Sequence, residues 1–296
     1  MTPQTKAHLG LFATNLFFAI NVSAIKYFTT QGTAGPYGLN LVRSGISFLL
    51  FWILFFISRE KKKIDKKDIV RFLLCALSAL ALNQMLFMKG LSLTYPIHAS
   101  LLLLITPILI TFIAAWVLKE KIIILKLIGL FLGITGACIL ILSGKSETRG
   151  NDILSGDLLI IMSTVLYTFY FILVKPLMQK YSPMNVMRWT FTFGFIMILP
   201  FGWNEFTDIT WTEFNFNEYL LLFMIVVPGT FLAYIFNVYG IKILSASTAG
   251  AYIYSQPVFA VLIATIFLKE KLEAYKIIAA IVIFAGVYLA NKQVKK

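Results

Sequence analysis

Ten long apolar runs divide this chain, and they constrain its fold more than any other feature. A helix of about 20 apolar residues crosses the roughly 30 Å hydrocarbon core of a bilayer. Lipid offers no hydrogen-bond partner to backbone N–H and C=O groups, so each run must be helical. We therefore predict an all-α integral membrane protein with ten transmembrane helices. The predicted spans, numbered one to ten in chain order, are 8–28, 37–58, 70–90, 96–118, 123–143, 156–177, 184–203, 218–240, 247–268 and 275–291.

The composition leaves little material for a soluble domain. Hydrophobic residues are 59% of the 296, above the roughly half that is usual in soluble domains. A formal net charge of +13 would suggest a nucleic-acid surface in a soluble protein. Here the basic residues lie in short loops between apolar runs, which is typical of membrane proteins. We expect membrane lipid, and no nucleic acid, among the partners.

The positions of the Lys and Arg residues predict an orientation. With the N-terminus in the cytoplasm, 18 of the 26 basic residues fall on the cytoplasmic side and 8 on the other side. Cytoplasmic loops carry such an excess, and the segment 59–71 supplies most of it. We therefore expect a multi-pass protein of the cytoplasmic (inner) membrane with both termini in the cytoplasm.

An internal repeat gives the strongest indication of architecture. The segment 90–136 recurs as 240–286, with matching pairs 150 positions apart and no gap. The matches include Pro107 with Pro257, the tetrapeptide Leu-Lys-Glu-Lys and two glycines. Chance would rarely align all of these over two helices.

The number of spans in each copy determines how the copies are related. Each copy holds five spans, an odd number, so the second copy enters the membrane from the opposite side. The prediction is two inverted five-helix repeats, 1–145 and 146–296. Inverted repeats build transporters because two equivalent halves can open a midplane site to either side in turn.

A resemblance to a known family rests on the order and duplication of short motifs. In the first half the motifs are Asn21-Val-Ser-Ala-Ile-Lys26, Pro36 through Leu41-Val-Arg43, and Leu91-Ser-Leu through Ala99 and Pro107 to Glu120. The second half repeats them as Val174-Lys175, Pro183 to Arg188, Ala246 to Pro257, and Glu270. With them the chain resembles the drug/metabolite transporter superfamily, in its ten-helix form with two EamA domains. The resemblance implies a central cavity lined by spans one, three, four, six, eight and nine, and substrates among amino acids or similar small metabolites.

Polar residues inside the predicted spans are the candidates for substrate binding. Such residues are costly in lipid unless they face other helices or water. The 150-residue offset pairs Gln84 with Tyr234 and Thr106 with Gln256, so the polar clusters fall at equivalent depths. The alternative for each is a helix–helix hydrogen bond. The candidates are Asn21, Asn83, Gln84, His98, Thr106, Tyr167, Tyr170, Tyr234, Asn237, Tyr252, Ser255 and Gln256.

Two prolines and two glycines inside spans have structural interpretations. Pro107 and Pro257 remove helical N–H donors and are expected to kink spans four and nine. Gly129 and Gly133 form a GxxxG pattern in span five, which permits close helix approach. That contact would be either a dimer face or packing within the bundle, so a monomer and a weak homodimer both remain open.

Charged residues near the span ends suggest gates. Under the predicted topology Arg43 and Glu270 lie near the outer face, and Arg188 and Glu120 near the inner face. We expect each pair to approach across the halves and to help close one gate. The alternative is that the Leu-Lys-Glu-Lys turns anchor the helix ends at the interface.

The sequence therefore predicts a secondary transporter, an exporter or exchanger of amino acids or similar small polar metabolites that works by alternating access. The alternatives are a membrane structural or sensory subunit and a flippase of lipid-linked substrates. No Asp or Glu lies deep in a span, which argues against simple carboxylate-mediated ion coupling. We expect no enzymatic activity, no cofactor and no metal site.

Overall fold

The structure, a computed structural model, describes residues 1–58, 64–94, 99, 102–143, 152–267 and 273–291. In this part of the chain there are helices and no strands. The helices of spans one to five are Pro3–Gln31, Pro36–Ile57, Ile69–Ala79 with Leu82–Leu93, Thr106–Val117 and Ile124–Ser143. Those of spans six to ten are Ile153–Lys180, Pro183–Thr207, Phe216–Val226 with Ala233–Ile243, Ala246–Ala251 with Gln256–Phe267, and Ala274–Asn291.

The predicted spans agree with these helices. Eight of the described segments are long and apolar enough to cross a membrane by length and composition. The two others are span four, which is described only in part, and span nine, whose helix is interrupted. An all-helical, ten-span membrane architecture therefore holds for this chain.

Helix starts follow from local sequence. Pro36 and Pro183 occupy the first turn of spans two and seven, where a missing N–H costs nothing. The side chain of Ser182 caps span seven by accepting from the backbone N–H of Asn185 at 3.1 Å. Asn215 and Glu218 form a capping box at the start of span eight.

Spans three, eight and nine are interrupted, whereas the sequence predicted spans three and eight as continuous helices and a kink at Pro257 in span nine. Span three breaks after Ala79, and span eight contains a π-helical turn over Val227–Leu232. In span nine a 3₁₀ turn over Tyr252–Ser255 separates two helices. Pro228 explains part of the change in span eight, because it cannot donate to the helical ladder. The breaks in spans three and eight fall about 150 positions apart, so they are features of the repeat.

The two halves are packed against each other throughout. Span two packs on span seven, and span five on span ten. Span one packs on spans eight and nine, while span six packs on spans three and four. The contacts of span six are therefore those of span one with the two halves exchanged. This is the arrangement expected of inverted repeats related by a two-fold axis.

The GxxxG pattern of span five is used inside the bundle. A Cβ added at Gly129 would lie 2.4 Å from the backbone nitrogen of Ala290 and 2.5 Å from the carbonyl oxygen of Gly286. One added at Gly286 would lie 2.6 Å from the carbonyl oxygen of Gly129. The two backbones touch, so only glycine fits at these positions. The pattern therefore serves the contact between spans five and ten.

Charged side chains fasten both ends of the bundle. At one end Lys180 pairs with Asp65 and with Asp68, which joins the loop before span three to the end of span six. At the opposite end the Glu205 carboxylate accepts from the backbone N–H of Tyr37 at 2.6 Å and so caps span two. These groupings place the segment before span three and the connection between spans six and seven on one side, as the predicted topology requires.

Candidate functional site

Polar residues follow the helix breaks closely. Asn83 and Gln84 lie in the first turn after the break of span three, and Tyr234 follows the π turn of span eight directly. Asn237 lies one turn further along span eight, and Gln256 begins the second helix of span nine. Irregular backbone at membrane depth is tolerated only where it is buried in protein or lines a hydrated cavity. We refer to these breaks and the polar groups that follow them together as the central layer.

Two hydrogen bonds in this layer are equivalents of each other under the repeat. The side-chain amide of Asn83 donates to the carbonyl oxygen of Ser163 at 2.7 Å, joining span three to span six. The hydroxyl of Thr14 donates to the carbonyl oxygen of Ala233 at 3.1 Å, joining span one to span eight. Both bonds cross between the halves and join corresponding positions, since Asn83 corresponds to Ala233 and Thr14 to Ser163. The side-chain donor of each bond corresponds to the backbone acceptor of the other, so the pseudo-symmetry extends to the paired positions but not to the side chains.

Side chains from one half also satisfy carbonyl groups that the breaks leave in the other. The hydroxyl of Tyr234 donates to the carbonyl oxygen of Ala79, the last residue before the break of span three, at 3.2 Å. The amide of Asn21 donates to the carbonyl oxygen of Gly229, within the π turn, at 2.8 Å. These bonds stabilise the irregular backbone. For Tyr234 and Asn21 the structure therefore shows the interhelical bond that was the alternative to substrate binding.

Spans one and nine are joined in the same way. The amide of Gln256 donates to the side-chain oxygen of Asn15 at 2.9 Å, and the Tyr252 hydroxyl lies 2.7 Å from Nδ1 of His8. The hydroxyl of Ser255 donates to the carbonyl oxygen of Tyr252 at 2.6 Å, inside the 3₁₀ turn. Pro257 stands in the first turn of the helix that follows. Pro107 has the same place in the described helix of span four, directly after the buried Thr106.

Several buried polar atoms in the central layer have no hydrogen-bond partner. They are the side-chain oxygens of Asn21 and Asn237 and the hydroxyl of Tyr170. The Tyr170 ring is stacked on Tyr167 at a centroid distance of 5.9 Å. Buried polar atoms are normally paired, so these three are the groups of the layer that a ligand would satisfy. His98 lies outside the described residues.

Glu120 makes a contact between the halves, and it does so with the start of span nine. Its carboxylate accepts from the backbone N–H of Ala246 at 2.9 Å and of Ser247 at 3.2 Å, and from the Ser247 hydroxyl. Free N–H groups at a helix start favour a carboxylate. Lys126 donates to the same Ser247 hydroxyl at 2.7 Å. Lys119, with a positive φ of 56°, ends span four in the turn that directs Glu120 to this place.

The expected Arg188–Glu120 pair is not formed in this conformation. Nη2 of Arg188 donates to the side-chain oxygen of Asn185 at 2.7 Å, and the guanidinium lies 3.5 Å from the ring centre of Phe55. The carboxylate of Glu120 accepts hydrogen bonds from the start of span nine, as described above. The structure shows other partners for each group, a helix N-terminus for the anion and an aromatic face for the cation.

Arg43, the other predicted gate cation, is also buried. It is 4% exposed, and its Nε donates to the side-chain oxygen of Asn40 at 2.9 Å. Its expected partner Glu270 lies outside the described residues, so the outer gate pair stays a prediction.

The sequence interpretation overlooked Asn40 and Asn185. The signal was present, because Asn-x-x-Arg occurs in span two as Asn40 to Arg43 and in span seven as Asn185 to Arg188. In both copies the asparagine oxygen accepts from the arginine. Residues three apart share one helix face, so the spacing alone predicts this pair.

Metal-ligating side chains do not gather in the described part of the chain. Among those residues, no group of three or more His, Cys, Asp or Glu side chains is placed to hold a metal ion. The two cysteines, Cys75 and Cys138, are unpaired.

Comparisons with known proteins agree with this architecture. The profile of the EamA-like transporter family matches the chain twice, over residues 5–142 and 154–292. An uncharacterized transporter of Archaeoglobus fulgidus is 25% identical over 97% of this chain and 98% of its own length. The uncharacterized transporter YetK of Bacillus subtilis is 26% identical over 83% of this chain and 76% of its own. One crystal structure superposes with a TM-score of 0.77 over 98% of this chain and 99% of that chain at 16% identity, a likeness of fold.

Proposed function

We propose that this chain, which belongs to the EamA-like transporter family, is a secondary transporter that moves small polar metabolites such as amino acids by alternating access of its two halves, 1–145 and 146–296. One observation carries the proposal. The helices of spans three and eight are broken near their middle and that of span nine in its first half, and polar side chains that bond across the halves follow each break. In transporters built from inverted repeats, substrate sites lie at such discontinuous helices near the midplane.

The bonds between the halves suit a structure that moves. Asn21, Asn83 and Gln256 each reach one acceptor on the opposite half, over 2.7 to 2.9 Å. Interhelical hydrogen bonds in membranes contribute only about 0.6 kcal/mol on average. A few weak bonds of this kind can be exchanged between conformations.

The side chains of the layer favour an uncharged polar or zwitterionic solute. Amides and hydroxyls from Asn237, Tyr170 and their neighbours offer both donors and acceptors. Aromatic rings surround them, with Phe18 and Phe191 edge-on to Tyr234 at centroid distances of 5.8 Å and 5.3 Å. Since no Asp or Glu lies deep in a span, exchange or facilitated diffusion is the mechanism we favour.

Counterflow in proteoliposomes tests the proposal. Vesicles are loaded in turn with unlabelled amino acids, nucleosides and sugars, and uptake of the labelled compound is followed without an ion gradient. We expect transient accumulation of one class. Asn237→Leu should lower the rate at least tenfold, because its unpartnered oxygen faces the layer, while Thr135→Val on the lipid side of span five should leave it unchanged. Absence of accumulation for the whole panel, with and without a pH gradient, would count against transport.

The proposed location is the cytoplasmic (inner) membrane with both termini in the cytoplasm. A green fluorescent protein fused to the C-terminus should fluoresce in cells, and alkaline phosphatase fused at the same place should be inactive, because each reporter matures on one side only. Fusions in the connection between spans seven and eight, after Asp208, should show the reverse. Fluorescence from the Asp208 fusion would contradict the topology.

A structural or sensory subunit and a lipid flippase remain the alternatives. A subunit needs a partner surface and no exchangeable polar layer, so Asn237→Leu would leave its activity intact. A flippase needs a lateral opening between helices for its lipid tail. Counterflow with water-soluble solutes separates both from the proposed transporter.

A further inference from the structure

Span two carries four buried polar side chains on a single face. They are Asn40, Arg43, Ser44 and Ser47, and we refer to them as the span-two polar stripe. Their spacing of three, one and three residues keeps them on one side of the helix. None is more than 4% exposed. A polar stripe of this kind inside a membrane span is costly unless something satisfies it.

Each member of the stripe keeps a polar atom without a hydrogen-bond partner. These atoms are Nδ2 of Asn40, Nη2 of Arg43 and the hydroxyl oxygens of Ser44 and Ser47. Hydroxyls within other spans bond the carbonyl four residues earlier, as Thr111 does to Pro107 and Thr192 does to Arg188, both at 2.8 Å. The two serines of the stripe do not. Buried polar groups are normally paired, so four adjacent unsatisfied groups on one face call for a partner.

The stripe faces the interior of the bundle. On the other side of span two, Ile46, Leu49 and Ile53 are exposed toward lipid. Phe51 continues the stripe by one turn, and its ring packs on Phe191 at 5.0 Å and Phe231 at 4.6 Å. The polar side chains therefore lie one turn from an aromatic cluster that spans two, seven and eight share.

The repeat provides an internal comparison for Arg43. Its equivalent, Arg188, lies over the rings of Phe55 at 3.5 Å and Trp52 at 4.8 Å, in addition to bonding Asn185. At the offset that relates the two arginines, the counterparts of Phe55 and Trp52 are Pro200 and Met197. Arg188 therefore lies over aromatic rings of the facing span, whereas the equivalent facing positions hold no aromatic ring for Arg43.

The chemistry of the stripe indicates one kind of ligand. Its free atoms are donors, and the guanidinium of Arg43 is permanently charged. Asn40 already bonds Nε and so holds Arg43 in one orientation. The Tyr234 side chain interacts electrostatically with Arg43. One fixed positive charge among neutral donors matches a single negative charge, which is a carboxylate and not a doubly charged phosphate.

Building on the proposed transport function, we propose that the span-two polar stripe is the subsite that binds the carboxylate of the transported solute. Arg43 supplies the charge through Nη2, the two serine hydroxyls and the Asn40 amide supply further hydrogen bonds, and Phe51, Phe191 and Phe231 contact the apolar part. The proposed substrates are then small monocarboxylates, including amino acids. Solutes whose acid group is masked, as in a primary amide, are not expected to bind.

Thermal unfolding of the purified full-length chain in detergent tests this without requiring transport. The probes are L-amino acids and simple monocarboxylates, each beside its primary amide. A ligand that binds the folded state raises its melting temperature. We expect at least one acid to stabilise the protein and its amide to have no effect. In Arg43→Met the affinity for that acid should fall at least thirtyfold, whereas Arg43→Lys should lose less because the charge remains.

Arg43→Met also separates a binding role from a structural one. A buried arginine without a counter-ion destabilises the empty protein, so its apolar replacement should leave the ligand-free melting temperature unchanged or raise it. A large fall would show that Arg43 holds the bundle together and would overturn the inference. So would equal stabilisation by acid and amide, or no effect of any acid. Counterflow of nucleosides or sugars alone would support the proposed transport function but contradict the carboxylate subsite.

Discussion

Gly129→Leu is expected to prevent this chain from folding. The new side chain would meet the backbone of Ala290 and Gly286, and neither helix can yield without separating spans five and ten over their length. Overpacking in a core costs about 1–3 kcal/mol and sometimes more. Here the obstacle is main chain, so we expect at least about 3 kcal/mol and loss of the monodisperse peak in size-exclusion chromatography of a fluorescent fusion.

The matched control for this substitution is Thr135→Leu. Thr135 lies in the same helix, its side chain is exposed, and its hydroxyl bonds only the carbonyl of Phe131. It should behave like the wild type. If Gly129 instead formed a dimer face, Gly129→Leu would give a folded, stable monomer, and that outcome would contradict the internal packing.

Glu120→Ala should open the cytoplasmic side of the protein. The carboxylate joins the end of span four to the start of span nine through Ala246 and Ser247. Hydrogen bonds to charged groups contribute about 1.5–3 kcal/mol each. A loss of about 2 kcal/mol from the closed state changes the ratio of the two states about thirtyfold. This prediction assumes the proposed orientation and alternating access.

The measurement is the rate at which a membrane-impermeant thiol reagent labels Ser255→Cys in inside-out vesicles. Cys75 and Cys138 are first replaced by alanine so that one thiol remains. Labelling should rise at least tenfold with Glu120→Ala and stay constant with Glu213→Ala, which removes an exposed acid at the opposite end. Unchanged labelling in both variants would mean that Glu120 only caps span nine and plays no part in closing this side.

The gate hypothesis shows that residue type can predict the position of a charge but not its partner. The sequence placed Glu120 and Arg188 near the same membrane face, and each does reach across the halves. It paired them because opposite charges attract. In the structure a helix N-terminus donates to the Glu120 carboxylate, and the Arg188 guanidinium lies over the ring of Phe55. Sequence spacing carries no information on such contacts between distant segments.

For the span-two polar stripe, the pattern is visible in the sequence but its role is not. The i, i+3, i+4, i+7 spacing of Asn40, Arg43, Ser44 and Ser47 is visible in the sequence, and so is the repeated Asn-x-x-Arg pattern. Their meaning is not, because a polar face becomes a candidate site only when its partners are counted. Ser44 lacks a hydrogen bond while Thr192 in span seven has one. That difference depends on side-chain rotation and on what surrounds each helix.

The sequence by itself determined the membrane class, the ten spans and the inverted repeat. These follow from the length of apolar runs, which bilayer thickness sets, and from an odd number of spans in each copy. The tertiary structure decided where spans three, eight and nine break, that Gly129 meets span ten, and which polar groups remain unpaired. Those outcomes depend on contacts between helices far apart in the chain, and in lipid such contacts are governed by close packing and single hydrogen bonds, which hydrophobicity patterns do not encode.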